Sequence, residues 1–251
     1  MTGSPTMTPA AYLLPLVSTL AFSVQTAVGF AAALLCLSLG AQVYPLRPLV
    51  VAVAAASCLQ GLTIVLRHHR HVDARRLLAV ALPLGGVGLL LGLWLRSHLT
   101  ATWLRTAFAL FVMGAAAVGI ATRLWKRAPE RRTHGRASAS WAYLLPGGLV
   151  HGLFATGGPL VVLWANEAFE TKERFRASLA ALWLCANTVL VASAFVSGEW
   201  SGSSLEALAL LLPGLLLGLV IGEYLHARVP ERVFRLGVQG LLFVAGLSLL
   251  A

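Results

Sequence analysis

Two polar residues hold matching positions beside small-residue segments of an otherwise apolar chain. Gln25 precedes TAVGFA, and His151 precedes GLFATGGP. An amide and an imidazole can both donate hydrogen bonds to an oxyanion, and an imidazole can also take up a proton near neutral pH. We therefore predict that Gln25 and His151 either bind an anion or form an interhelical hydrogen bond. Of the two, His151 is the better candidate for a proton-binding group.

The small-residue segments have the composition of a break between two helices. Gly157 and Gly158 permit a tight turn after Ala155 and Thr156, and Pro159 suits the first turn of a new helix. Such a helix would direct its N-terminal N–H groups, with about half a positive charge, at an anion. The first-half equivalent is the turn predicted at residues 26–31. The alternative for both segments is close packing between membrane helices.

Further polar residues inside apolar stretches complete the candidate substrate site. Asn187 lies in the middle of one stretch, and Ser57 and Gln60 lie near the equivalent place in the first half. Each could wall a pocket or form a packing hydrogen bond. The candidate substrate-binding residues are Gln25, Thr26, Gly29, Phe30, Ser57, Gln60, His151, Thr156, Gly157, Gly158, Pro159 and Asn187.

The remaining polar residues predict no chemistry. Glu223 is expected to pair with Arg228 or His226 at the membrane surface rather than to relay protons. The histidine-rich segment 67–76 matches no structural zinc pattern, and the three cysteines lie in apolar stretches. We predict no catalytic residue, metal site or cofactor, because the chain has no nucleophile motif, metal-ligand pair or nucleotide loop.

The elements that hold the candidate site are membrane helices. Hydrophobic residues make up 58% of the 251-residue chain and charged residues 11%, whereas a soluble domain carries about a quarter charged residues. A helix needs about 20 apolar residues to cross a bilayer. Six stretches meet or approach that length: residues 48–66, 77–95, 106–122, 177–198, 207–225 and 236–251.

The two halves of the chain form an internal repeat. Sliding the chain by 130 residues places segment 78–99 on segment 208–229, and an offset near 126 places 25–37 on 151–163. The matched residues are Pro83 with Pro213, Gly88 with Gly218, Gly92 with Gly222 and Arg105 with Arg235. The glycine pairs lie within continuous spans and predict packing faces. Such repeats are typical of secondary transporters.

The basic residues predict that the repeats are inverted. Cytoplasmic loops are enriched in Lys and Arg. If segment 141–166 enters and leaves on one side, 16 of the 19 Lys and Arg fall on one face and three on the other. Because 26 residues cannot supply two full crossings, the segment is predicted to be a re-entrant hairpin or a pair of broken helices. Residues 10–40 should do the same from the opposite face.

The predicted fold is therefore an all-α integral membrane protein with about eight membrane segments. Each repeat would hold one hairpin and three spans, with both termini in the periplasm. The predicted organisation is a first repeat at 1–122, a basic cytoplasmic linker at 123–140 and a second repeat at 141–251. The net charge of +10 is explained by this insertion topology and does not indicate nucleic-acid binding.

Five motifs in this order resemble the TauE/SafE family of sulfite and organosulfur-anion exporters. They are Gly29–Phe30, RHHRHVD at 67–73, GLFATGGPLVVLW at 152–164, KERFRASLA at 172–180 with Asn187, and GEYLHARVPERVFR at 222–235. The resemblance implies duplicated four-segment halves and transport of sulfite, thiosulfate, sulfonates or related anions across the inner membrane. The chain departs from the family at Ala31 and Ala32, where members commonly have glycines after the early GF.

The leading hypothesis is a secondary transporter in the bacterial inner membrane whose oxyanion site lies between two inverted hairpins. The coupling ion could be a proton, for which His151 is the best candidate, or a sodium ion. The sequence leaves open whether the protein forms a homodimer. The alternatives are a passive anion channel, and a membrane enzyme or assembly factor that uses His151. The absence of a second intramembrane acid or base argues against the enzyme.

Overall fold

Four long helices form the frame of the protein. The computed structural model describes residues 13–100, 102–104, 106–111, 113–114 and 141–228, which form helices joined by turns and loops and contain no strand. The helices that are long and apolar enough to cross a membrane are α3 (Leu46–His68), α4 (Ala74–His98), α7 (Lys172–Val196) and α8 (Gly202–Arg228). They contain four of the six predicted spans. The structure does not describe the predicted span 236–251 or the predicted linker 123–140. It describes only the first part of the predicted span 106–122.

Two further pairs of helices are too short to cross a bilayer singly. They are α1 (Leu14–Val28) with α2 (Ala32–Gly40), and α5 (Leu144–Phe154) with α6 (Gly158–Ala168). The longest of the four has 15 residues and so rises about 22 Å, less than the hydrocarbon thickness of about 30 Å. Each pair is joined by a three-residue turn. Segments 10–40 and 141–166 thus contain the helix breaks that their sequences predict.

One end of the helix bundle is basic. Asp73, in the loop between α3 and α4, accepts a hydrogen bond at its carboxylate from Arg76 N–H and donates its own N–H to Ser178 Oγ of α7 at 2.9 Å. His68 at the end of α3 lies 3.5 Å from Glu223 near the end of α8. The basic loop at 67–76, the start of α7 and the end of α8 therefore lie together.

The opposite end holds the start of α3, the end of α4 and the loop between α7 and α8. Arg96 Nη2 lies 2.6 Å from Glu199 Oε2, and Arg47 donates to the Leu99 carbonyl. Tyr44 donates its hydroxyl hydrogen to the Ser203 carbonyl at 2.7 Å. From these ends, α3 and its repeat equivalent α7 run in opposite directions, as do α4 and α8.

Glycines let each short hairpin pack closely on a long helix of the other half. A Cβ added at Gly218 would lie 2.7 Å from Phe22 Cβ of α1, and one added at Gly222 would overlap Thr26. Likewise, a Cβ at Gly88 or Gly92 of α4 would overlap the backbone of α5. The prediction that these glycines form packing faces is confirmed.

These contacts also fix the direction of the hairpins. Residue numbers rise together along the α1–α8 and α4–α5 contacts, so each contacting pair is parallel. The first hairpin consequently starts at the opposite end of the bundle, and the second starts at the basic end. Buried apolar side chains fill the space between these helices, whereas outward side chains such as Leu90 and Val220 stay exposed, as a lipid-facing surface requires.

Candidate functional site

The two helix breaks have matching backbone geometry. Gly29 ends α1 in the left-handed region with φ 90°, and its N–H donates to the Gln25 carbonyl at 2.7 Å. Ala155 ends α5 with φ 56°, and its N–H donates to the His151 carbonyl at 2.7 Å. Gly29 and Ala155 are 126 residues apart, which is the offset of the sequence repeat. The first turn begins later than predicted, because α1 continues through Val28.

The two turns meet at one small polar cavity. Residues 31, 33 and 34 at the start of α2 and residues 157 and 158 at the start of α6 line it. The cavity has a volume of about 20 Å³, which is room for about one water molecule. Of the twelve candidate residues, eight line this cavity: Gln25, Phe30, Ser57, His151, Thr156, Gly157, Gly158 and Asn187.

The other four candidates lie beside the cavity without lining it. Gln60 and Thr26 bond to each other at 2.6 Å behind Gln25. Gly29 packs against α7, where a Cβ added to it would meet Arg176 Cα at 3.2 Å. Pro159 occupies the first turn of α6, where its missing N–H leaves no helical bond unmade.

A buried amide network supports the first turn. Gln25 Oε1 accepts from the Ala32 N–H at 2.9 Å, which satisfies the first donor of α2. Gln25 Nε2 donates to Gln60 Oε1 at 2.7 Å, and Gln60 Nε2 donates to the Phe22 carbonyl at 2.9 Å. One N–H of the Gln25 amide is therefore used within the protein, and the second remains available to a ligand.

A buried imidazole supports the second turn. The Gly157 N–H points to His151 Nδ1 at 3.4 Å, and His151 Nε2 lies 3.2 Å from Asn187 Oδ1. Because a backbone N–H can only donate, Nδ1 accepts and the ring proton is on Nε2, where it donates to Asn187. The His151 ring is thus neutral in this arrangement. The two N–H donors of Asn187 remain available at the cavity wall.

The cavity offers hydrogen-bond donors without a fixed charge. Ser57 is 2% exposed, and its hydroxyl has no hydrogen-bond partner among the described residues. The N–H groups in the first turn of a helix have no partner within that helix. None of the described residues that line the cavity is Lys, Arg, Asp or Glu. Such a lining suits an anion held by neutral donors.

Trp183 is the main lining residue that sequence reasoning missed. Its indole Nε1 donates to the Gly29 carbonyl at 2.9 Å, and its ring stacks on His151 with centroids 5.3 Å apart. It is therefore in contact with both turns. Its position one helical turn before Asn187 is a signal that could have identified it, because residues four apart share a helix face.

The predicted partner of Glu223 is wrong. Glu223 pairs with the buried Arg176 of α7 and lies near His68, rather than pairing with Arg228 or His226. Arg228 instead donates to the Tyr224 hydroxyl at 2.7 Å. The prediction failed because it considered only neighbours in sequence, whereas the close packing of α1, α7 and α8 brings Arg176 to Glu223.

Comparison with known proteins identifies the family. The family model for the sulfite exporter TauE/SafE matches residues 14–249. The chain belongs to the TauE/SafE family. TauE/SafE members are transporters, not enzymes, so this chain is a membrane transporter, and the enzyme alternative is discarded.

A named relative agrees with this assignment. The chain is similar to the "Probable inner membrane transporter protein TsaS" of Comamonas testosteroni, with 28% identity over 178 residues. The match covers 69% of this chain and 71% of the relative. No solved structure gives a significant match to this TauE/SafE chain.

Proposed function

We propose that the protein is a secondary transporter that binds a small sulfur oxyanion between its two hairpins. Sulfite, thiosulfate and short sulfonates have the required charge and acceptor oxygens. The observation that carries this proposal is that the first turns of α2 and α6 line one polar cavity. Each helix N-terminus contributes about half a positive charge, so the two together offset much of the charge of a monoanion.

Neutral donors at the cavity wall support the same proposal. Ser57 has an unpartnered hydroxyl, and Asn187 and Gln25 have amide N–H groups left over from their internal bonds. Donors fixed in a low-dielectric site bind an anion more strongly than donors in water do. The cavity is too small to hold a sulfur oxyanion, because it has room for only about one water molecule. Binding therefore requires the walls to move apart, as a rocking motion of the halves would do.

The proposed architecture is a pair of inverted four-segment repeats with re-entrant hairpins. The opposed directions of α3 and α7, and of α4 and α8, support it. Cysteine labelling tests the orientation in a variant that lacks the three native cysteines. We expect His69→Cys to be labelled only from the cytoplasm and Ser201→Cys only from the periplasm. The same proposal places both termini in the periplasm. Labelling of both from one side would exclude this topology.

His151 is the proposed coupling group. A proton added to Nδ1 would remove the acceptor for the Gly157 N–H and so release the second turn. Binding of a proton would then change the geometry of the anion site. We expect a pH gradient to drive accumulation by the native protein and not by His151→Gln. Accumulation driven equally in both would exclude His151 as the coupling group and direct attention to sodium.

Transport in proteoliposomes decides the function. We expect saturable uptake of labelled sulfite, thiosulfate or methanesulfonate, with strong loss in Gln25→Ala and His151→Ala. Thr188→Val is the matched control, because Thr188 is exposed, lies beside Asn187 and does not line the cavity. Its hydroxyl donates to the Leu184 carbonyl of its own helix and lies 3.8 Å from Cys58 Sγ of α3. Uptake of none of the three anions, or full uptake in both variants, would refute the site. Flux that neither saturates nor depends on a coupling ion would indicate a passive channel.

A further inference from the structure

A second cavity lies behind the wall of the polar one. It has a volume of about 180 Å³ and lies between α4, α5, α6 and α7. Its lining is formed by small and aliphatic residues such as Gly85, Leu89 and Ala186, whereas His151 and Trp183 line both cavities. The stacked rings are therefore part of the wall that the two cavities share. We call the larger space the apolar chamber.

Trp183 is the larger part of that shared wall. Its side chain is 6% exposed, and the Gly29 carbonyl and the His151 ring hold it from two directions. A single side chain thus fixes the distance between the two turns and closes the polar cavity on its apolar side. Removal of the indole would leave a space continuous with the chamber, because buried large-to-small substitutions leave cavities that relax only in part.

We propose that Trp183 determines the size limit of the transported anion, an inference that rests on the proposed function and deepens it. The oxyanion group binds at the two helix N-termini, and the indole excludes an apolar substituent from the chamber. Trp183 acts through position and volume, since its one N–H donates to Gly29. A protein without the indole accepts anions whose apolar group extends into the chamber.

The test compares two alkanesulfonates that differ only in chain length. Methanesulfonate and 1-butanesulfonate present the same oxyanion, so the ratio of their kcat/KM values reports the space beside it. We expect Trp183→Ala to shift this ratio towards butanesulfonate by about tenfold or more, since each methylene accommodated in an apolar site is worth about fourfold or more. Its kcat/KM for methanesulfonate should fall, because the two turns lose their common contact.

Further variants separate specificity from general damage. Trp183→Phe keeps an aromatic ring on His151 but loses the bond to Gly29, so we expect a raised KM with little change in the ratio. Ala186→Leu, one turn along α7, should refill the chamber and reverse the gain of butanesulfonate transport in Trp183→Ala. The control is Trp164→Phe, because Trp164 is 2% exposed, packs on Phe169 and lines neither cavity.

The outcomes distinguish the proposal from the function on which it rests. If the native protein transports none of sulfite, thiosulfate and methanesulfonate, the proposed function fails and the inference fails with it. If the native protein transports methanesulfonate and Trp183→Ala lowers both sulfonates equally, only the inference is overturned. Should Trp183→Ala not fold, Trp183→Leu gives the same comparison, and an unchanged ratio there is equally decisive against the proposal.

Discussion

The two turns share one backbone plan but use different side chains to hold it. In the first turn, the Gln25 side chain donates a hydrogen bond to Gln60 and accepts one from the first N–H of α2. Most of the hydrogen-bonding groups of these two amides are therefore paired within the protein. In the second turn, His151 makes two longer contacts and Asn187 keeps both N–H donors. Equivalent positions of a repeat have thus taken up different tasks. We infer that the first turn is the fixed side of the site and the second is the adjustable side.

The largest expected effect is loss of stability at the first turn. Gln60→Leu removes the residue that joins α1 to α3 and leaves the Gln25 amide without its partner. We expect a loss of about 3 kcal/mol in the free energy of unfolding, because buried unpaired groups cost about 1–3 kcal/mol each. Unfolding in mixed detergent micelles measures it, with Thr63→Val on the same helix as control, because Thr63 is half-buried and its hydroxyl donates to the Leu59 carbonyl of that helix. An equal loss in the control would contradict a special role for this network.

The next effect sharpens the contrast, because it should fall on transport rather than on stability. Asn187→Leu keeps the side-chain size and removes the donors at the second turn. We expect kcat/KM to fall by about tenfold to hundredfold, the range for loss of a hydrogen bond to a charged group. Destabilisation should be smaller than in Gln60→Leu, since fewer bonds within the protein are lost. If transport survives while stability falls, the roles of the two turns are not divided in this way.

A smaller effect is expected at the buried hydroxyl between the turns. Ser57→Ala removes a donor that has no protein partner in the described structure, so stability should stay the same or rise slightly. If the hydroxyl binds the anion, KM should rise about fivefold, equivalent to about 1 kcal/mol. Measurement of KM together with the unfolding midpoint checks both. A lowered midpoint would show that Ser57 has a structural partner instead.

The smallest effect concerns backbone strain, which the two turns share. Ala31 has φ 91° and Ala155 has φ 56°, a region where a Cβ costs about 1–2 kcal/mol. Ala31→Gly and Ala155→Gly should each stabilise the protein by about 0.5 kcal/mol, because the greater flexibility of unfolded glycine offsets part of the relief. Ala54→Gly within α3 is the control and should destabilise by about 1 kcal/mol. Destabilisation of all three would show that the turns are unstrained.

Much of this plan could be predicted from the sequence because it depends on local signals. Apolar length predicts α3, α4, α7 and α8, and glycine and proline at 157–159 predict the second turn. The internal repeat then predicts an equivalent turn in the first half of the chain. The departure at Ala31 also proved informative, since alanine there adopts a conformation that favours glycine.

The remaining features depend on contacts between distant segments. Trp183 resembles any aromatic residue in an apolar helix, and only the packing of α7 between the hairpins makes it a wall of the site. Arg176 and Glu223 are 47 residues apart, and no periodicity relates them. The hydrogen bond between Gln25 and Gln60 likewise depends on the distance between α1 and α3, which hydropathy does not predict.

The glycine contacts also have a consequence for biosynthesis. Because α1 packs on α8 and α4 packs on α5, each hairpin is covered by a long helix of the other half. During synthesis α1 must wait for α8, and at about 5–20 residues per second that delay is on the order of ten seconds or more. The first hairpin must therefore enter the membrane with its docking surface uncovered. We expect neither half to accumulate when expressed alone, whereas co-expressed halves should protect each other from membrane proteases.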